Sequence, residues 1–225
     1  MSTLSNVKTS EGEEIPSCTN TPFDAIPRAE SSRTGVSVDY VRNPNKNWYV
    51  FRGSYGRENL AHDFLIEDGT YCYIPKRYEL KNIGGKRKRV LVNLIPNLLF
   101  VYTTPEMAEE YIKNRSALSF LSYYYDHFEE NGEHKNPPLK IPLEQMENFI
   151  FATSSHNEHI QLVEPSKCRY KSGERVRVID GLFKGVEGRV ARVSGQQRVI
   201  VVLSKIGLIS TAYIPTAFIE RIEEK

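Results

Sequence analysis

The 225-residue sequence predicts an α+β protein with two ordered units, the first mixing helices with a sheet and the second a small β-barrel. Three observations carry that prediction. The first is the stretch from Gly84 to Tyr102, GGKRKRVLVNLIPNLLFVY, where a basic turn leads into two apolar runs separated by Asn93 and a Pro96-Asn97 break. Val90, Val92 and Leu94 share one side of the first run, and Leu98, Phe100 and Tyr102 share one side of the second, as period-two side-chain placement requires. The pair reads as a hairpin with a charged tip, both strands apolar enough to be central. The second observation is a set of apolar residues at helical spacing on either side of that stretch. The third is the glycine-punctuated segment from Gly173 to Val193, GERVRVIDGLFKGVEGRVARV.

The elements follow in order. Residues 1–46 are rich in Ser, Thr, Pro, Asn and Glu without a sustained period, and read as a disordered tail. Within it Val36, Val38, Tyr40 and Val41 form either a local strand or docking segment, or part of the solvated leader. Order is expected from Trp48-Tyr49-Val50-Phe51, a β-branched and aromatic strand broken by Gly53 to Gly56. Arg57 to Glu67 then predicts a helix, with Leu60, Ala61, Phe64 and Leu65 forming a stripe that can cover one face of a sheet. Tyr71 to Leu80 returns as a strand, bent or at an edge because Pro75 cannot donate to a ladder. Beyond Tyr102, Thr104 and Pro105 supply an N-cap and first turn for a short helix carrying Met107, Ala108, Tyr111 and Ile112. Phe120 to Tyr125 is a strand candidate, Asp126 to Pro138 a polar loop, and Ile141 to Phe151 a third helix that buries Met146, Phe149 and Ile150. Residues 47–153 form the first unit. Residues 154–171, where the periodicity fades, read as a linker, and residues 172–225 as the second unit. Its five short strands are Arg175–Ile179, Gly188–Val193, Arg198–Leu203, Gly207–Ile214 and Ala217–Ile222.

Composition excludes several classes of function. The chain is 40% hydrophobic and 26% charged, and no uninterrupted apolar run approaches the roughly 20 residues of a membrane helix. The net charge of +2 does not by itself imply nucleic acid, so its distribution matters more. Residues 154–225 carry 12 basic and eight acidic side chains, whereas residues 47–153 carry 13 and 14. Within that balanced segment Lys76, Arg77, Lys81, Lys86, Arg87, Lys88 and Arg89 crowd one hairpin against the single Glu79. Cys18, Cys72 and Cys168 are odd in number, scattered and without a CxxC pair, which fits neither a disulfide framework nor a zinc site. With no basic-then-apolar leader, the expected location is the cytoplasm. His156 and His159 have the spacing of a helical metal pair but lack further ligands nearby, so no metal or other cofactor is expected. Gly84-Gly85-Lys86 lacks the flanking residues of a phosphate loop, and no nucleophile stands beside a base; the sequence points away from an enzyme.

In Gly173 to Val193, Val176 and Val178 alternate with Arg175 and Arg177, Asp180-Gly181 turns the chain, and Gly185 and Gly188 flank Val186-Glu187. This pattern resembles the KOW motif, which implies a small SH3-like barrel that binds protein or RNA. Upstream, Trp48-Tyr49-Val50, Gly56-Arg57-Glu58-Asn59, Gly85-Lys86-Arg87 and Ile95-Pro96-Asn97-Leu98-Leu99-Phe100-Val101 stand in the order and near the spacing of landmarks in the NusG N-terminal domain. The ordered set followed by a KOW unit resembles NusG-type transcription elongation factors across residues 47–225. The resemblance implies an N-terminal α/β sandwich with an antiparallel sheet that docks on the clamp helices of RNA polymerase, and a KOW domain that recruits a ribosomal protein or termination factor. Ile95 and Leu98 stand where the family usually has Phe and Tyr. With the tail and the loop from Asp126 to Pro138, this implies a specialised paralogue, and Leu139 to Ser154 is similar to the group that antiterminates polysaccharide operons.

The expected polymerase-binding residues are therefore Arg52, Ile95, Pro96, Leu98 and Phe100, with Arg52 at the rim of an apolar groove; plain core packing is the alternative for the apolar ones and a solvated edge for Arg52. Lys86, Arg87, Lys88 and Arg89 are expected to reach the phosphates of upstream or non-template DNA, the alternative being a merely solvated turn. Phe183, at a loop tip, is expected to contact a protein partner together with Ile206 and Gly207, unless it folds back onto the barrel. The rival to a transcription factor is a KOW-type RNA-binding protein associated with the ribosome.

Overall fold

The computed structural model describes residues 41–126, 136–164 and 169–222. The leader through Tyr40, most of the loop after Asp126 and the stretch holding Cys168 lie outside those residues, and so do the expectations placed on them. The first unit comprises β1 (Asn47–Gly53), α1 (Glu58–Glu67), β2 (Tyr71–Tyr73), β3 (Lys76–Ile83), β4 (Lys86–Asn93), β5 (Leu98–Thr103), α2 (Pro105–Lys113), β6 (Leu121–Tyr123), β7 (Lys140–Ile141) and α3 (Leu143–Thr153). The second comprises β8 (Gln161–Val163), β9 (Arg169–Val178), β10 (Glu187–Val193), β11 (Gln196–Leu203), β12 (Gly207–Tyr213) and β13 (Ile219–Arg221).

β1 and β5 form the centre of an antiparallel sheet ordered β2-β5-β1-β6, with β7 also pairing along β1 beside β6. All six residues of β5 are buried. Alternation divides β1 between two cores. Tyr49 and Phe51 join Ala61 and Leu65 of α1 and Ala108 and Tyr111 of α2, while Trp48 and Val50 join Met146, Phe149 and Ile150 of α3. Helices thus cover both faces, which is why this strand pair reads as near-continuous apolar sequence. α2 begins as expected: Thr104 Oγ1 accepts the Met107 amide at 3.3 Å, and Pro105 occupies the first turn. α3 begins two residues later than the apolar spacing indicates, because Lys140–Ile141 pairs with β1 first.

The expected hairpin from Gly84 to Tyr102 is corrected. β4 does not pair with β5; it pairs with β3, from Lys76 opposite Asn93 to Ile83 opposite Lys86, as a separate two-stranded ribbon. Four consecutive cations, Lys86 to Arg89, cannot be desolvated in a central strand. The chain therefore leaves the sheet at Pro75 and re-enters it after Pro96. The Leu94 amide donates to the Pro75 carbonyl at 2.8 Å and closes the base of this excursion.

The second unit is a six-stranded antiparallel sheet, β13-β9-β10-β11-β12-β8. The five expected strands are present, and β8, from within the expected linker, adds a sixth by pairing with β12. Val176, Val178, Phe183, Val186, Val199, Val201 and Leu203 are buried in its core. The two units touch through α3. Asn148 Nδ2 donates to the Glu187 carbonyl at 2.6 Å while its Oδ1 accepts the Glu187 amide at 2.9 Å, and Gln145 Oε1 accepts the Ser204 amide at 3.1 Å. Lys205 and Asp126 form an ion pair across the same seam. The tail is also tied down at its end: Arg42 Nε donates to Glu147 Oε1 at 2.8 Å, and the Asn43 amide donates to the Tyr102 hydroxyl at 2.8 Å. Among the described residues no helix is long and apolar enough to cross a membrane.

Two consequences are testable. A Cβ on Gly188 would lie 2.3 Å from the Ile200 carbonyl oxygen, so Gly188→Ala is expected to destabilise the second unit by about 1–3 kcal/mol in urea unfolding. Cys72 is 4% exposed, and burial, with Asp63 nearby, pushes its thiol up to about 12. Since the thiolate is the reactive form, alkylation at pH 8.5 is expected to modify Cys72 only on unfolding, as read by peptide mass spectrometry.

Candidate functional site

The β1–β5 register sets Arg52 opposite Leu98 and Val50 opposite Phe100. It also brings several loops to one end of the pair. The Gly53 amide donates to the Asn97 carbonyl at 2.8 Å, and the Gly56 amide donates to Asn97 Oδ1 at 3.1 Å. Asn97 adopts φ +64°, a left-handed conformation its short polar side chain tolerates, and so re-aims the chain from the ribbon into β5.

Glu58 anchors this end from the first turn of α1. Its Oε1 accepts Asn93 Nδ2 at 2.7 Å and the Asn97 amide at 3.2 Å, although the residue is only 4% exposed. One buried carboxylate therefore joins α1, the end of β4 and the start of β5. Glu58 stands among the sequence landmarks, but the local sequence gives it no role, because its partners lie 35 and 39 residues away. Tyr55 was likewise missed. It is 93% exposed at φ +59°, beside Arg57, whose guanidinium lies 4.2 Å from the Phe120 ring.

Of the expected docking residues, Arg52 and Pro96 are exposed, whereas Ile95, Leu98 and Phe100 are buried. Among the described residues these three are covered rather than open to a groove. They belong to one continuous core with α3 and Ile160, and the Phe100 and Phe149 rings meet at 5.5 Å. The segment after α3 closes alongside: the Tyr78 amide donates to the His156 carbonyl at 2.9 Å, and Arg77 Nη1 donates to the Ile160 carbonyl at 3.3 Å. Nearby, burial raises the Tyr73 phenol to about 12, and its hydroxyl meets Thr153 Oγ1 at 2.6 Å.

The ribbon is the opposite case. Every residue from Leu80 to Arg89 is exposed. Its tip is Gly84-Gly85, both at positive φ (60° and 76°), the backbone of a tight hairpin turn that glycine alone adopts without strain. The Arg89 guanidinium lies 4.0 Å from the Tyr78 ring, and Arg77 and Glu79 approach within 3.9 Å at the base.

In the second unit Phe183 corrects the expectation of an exposed loop-tip aromatic. It is 5% exposed and sits in the core. The turn folds it inward: the Gly185 amide donates to the Val178 carbonyl at 2.6 Å and the Val186 amide to the Phe183 carbonyl at 3.0 Å. Ile206 is half-buried against the same core, and Gly207 packs closely against the Leu162 side chain. The structure thus leaves Ile206 and Gly207 at the surface without Phe183. His156 places Nδ1 2.6 Å from the Ser154 carbonyl, and His159 is exposed; among the described residues no three His, Cys, Asp or Glu side chains are grouped to hold a metal ion.

Comparison with known proteins places part of this geometry. Residues 46–150 match the NusG family, described as transcription termination factor nusG, so this segment is NusG-like. Among solved structures, one titled "Domain interaction in Thermotoga maritima NusG" is 15% identical, with a TM-score of 0.39, over 79% of this chain and 98% of that one.

Glu58→Ala removes the acceptor for two donors, Asn93 Nδ2 and the amide of the half-buried Asn97. We expect a loss of about 1–3 kcal/mol in global stability and faster hydrogen exchange at the Asn97 amide. Unchanged exchange there would mean that Glu58 does not hold the entry to β5.

Proposed function

We propose that the protein is a non-enzymatic regulator that binds elongating RNA polymerase through its first unit and suppresses pausing or termination. The observation that carries this reading is the match of residues 46–150 to the NusG family, joined to a second, all-β unit whose Gly173–Val193 segment resembles the KOW motif. The docking surface we assign is the end of the β1–β5 pair: Arg52 and Pro96 at the rim, with Ile95, Leu98 and Phe100 beneath. The clamp helices of the largest polymerase subunit are the partner. Because the apolar three lie under α3 and the segment around Ile160, they set the shape and rigidity of the end that Arg52 and Pro96 present.

Such a protein needs no chemistry. Binding the processive conformation of the polymerase more tightly than the paused one lengthens processive elongation by population shift. The cations Lys86, Arg87, Lys88 and Arg89 extend the grip to nucleic acid near the polymerase, and the Ile206–Gly207 edge of the second unit offers a contact for a ribosomal protein or termination factor. Ile95 and Leu98, in place of aromatics, support a specialised paralogue serving a limited set of operons, such as those for polysaccharide synthesis.

The test is capture of purified, assembled elongation complexes by the full chain. The wild type is expected to bind, and Arg52→Glu to weaken binding by about tenfold or more, chiefly by placing a like or unmatched charge at the rim. Failure of the wild type to bind at low salt, with retention on ribosomes or free RNA instead, would overturn the reading in favour of a ribosome-associated RNA-binding protein.

A further inference from the structure

The ribbon β3–β4 has more order in its charges than a run of cations in the sequence suggests. Ile83 stands opposite Lys86, Asn82 opposite Arg87, Lys81 opposite Lys88 and Leu80 opposite Arg89. Opposed residues of an antiparallel pair share a face, and successive pairs alternate between faces. Lys81, Lys86 and Lys88 therefore project from one face, and Arg87 and Arg89 from the other. Residues 80–89 hold five cations and no carboxylate, and all ten are exposed.

We infer that this ribbon enters the major groove of duplex DNA tip first, with its two cationic faces meeting the phosphates of the two groove walls. The inference rests on the nucleic-acid part of the reading above and names the form of nucleic acid. Three features select it. A single strand lying along a ribbon is met by one face, whereas cations on both faces match an anionic cleft with two walls. The exposed part, four residue pairs long, extends about 10 Å at 3.4 Å per residue, close to the groove's depth of about 8.5 Å, and a two-stranded ribbon fits its width of about 12 Å. The Gly84-Gly85 tip carries no side chains, and nothing lies within 4 Å of where a Cβ would be, so the leading edge is slim enough for backbone to approach the base pairs. The deep, narrow major groove of duplex RNA does not admit such a ribbon. Phosphate contacts on both walls fix position and orientation rather than sequence.

The experiment titrates the full-length protein against a mixed-sequence DNA duplex, one of its single strands and the matching RNA duplex, by fluorescence anisotropy across a salt series. Two variants separate the faces, Lys81→Gln/Lys86→Gln/Lys88→Gln and Arg87→Gln/Arg89→Gln, each checked for fold by circular dichroism. The duplex DNA is expected to bind tightest, and each variant to weaken it. The salt slope should fall by up to about 3 for the lysine face and about 2 for the arginine face, at roughly 0.9 per phosphate. Equal or tighter binding of the single strand or the RNA duplex, no binding of duplex DNA, or a face whose removal leaves duplex binding unchanged would overturn the inference. Elongation-complex capture by the wild type is read separately: capture without duplex binding overturns this inference alone, and duplex binding without capture overturns the elongation-regulator reading alone.

Discussion

The first unit depends on burying both faces of one antiparallel strand pair. β1 and β5 are paired through six consecutive positions, and all of β5 is removed from water. Such a pair needs an apolar cover on each side, which α1 and α2 provide on one face and α3 on the other. Everything that cannot be buried is pushed to the ends of the pair or out of the sheet. The KRKR run leaves as a separate ribbon, and the polar turns at Asn97 and Gly56 gather at one end, held by the Glu58 carboxylate. The proposed docking end and the proposed nucleic-acid arm are two results of the same constraint.

α3 faces two ways. Its apolar stripe completes the core over β1 and β5, and polar residues on its flanks, Gln145 and Asn148, bond backbone groups of the second unit. Asn148 presents a donor and an acceptor to the backbone N–H and C=O of one residue, Glu187, which fixes orientation as well as contact. Glu147 and Tyr102 hold the last residues of the leader by bonds to Arg42 and Asn43. This helix and its neighbour β5 thus bond to Arg42 and Asn43 before β1, and the helix bonds to the second unit.

The second unit gains order from residues that look featureless in sequence. β8 joins its sheet beside β12, and Arg198, 8% exposed, donates from Nη1 to the carbonyls of His159 and Thr211. Burial lowers the guanidinium's proton affinity while leaving it charged. By tying His159 to β12, Arg198 makes residues 159–163 part of the second unit.

The sequence by itself determined what local chemistry decides. Period-two and helical spacing placed β1, β5, the three helices and five strands of the second unit, and Thr104-Pro105 and Gly84-Gly85 announced a cap and a turn through their own side-chain and backbone preferences. Tertiary structure alone decided which strands pair and which apolar residues are covered. The runs on either side of Pro96 look like partners because they are adjacent and equally apolar, yet pairing is settled by which strand can be desolvated on both faces, and four cations exclude β4. Phe183 reads as exposed because it stands in a turn between Leu182 and Lys184; the bonds that fold it inward come from Val178 and Val186. Glu58, Arg198 and the choice between groove and core for Ile95 and Leu98 were undecided in the sequence for one reason. Each depends on partners tens of residues away, and a local pattern carries no information about what the fold brings beside it.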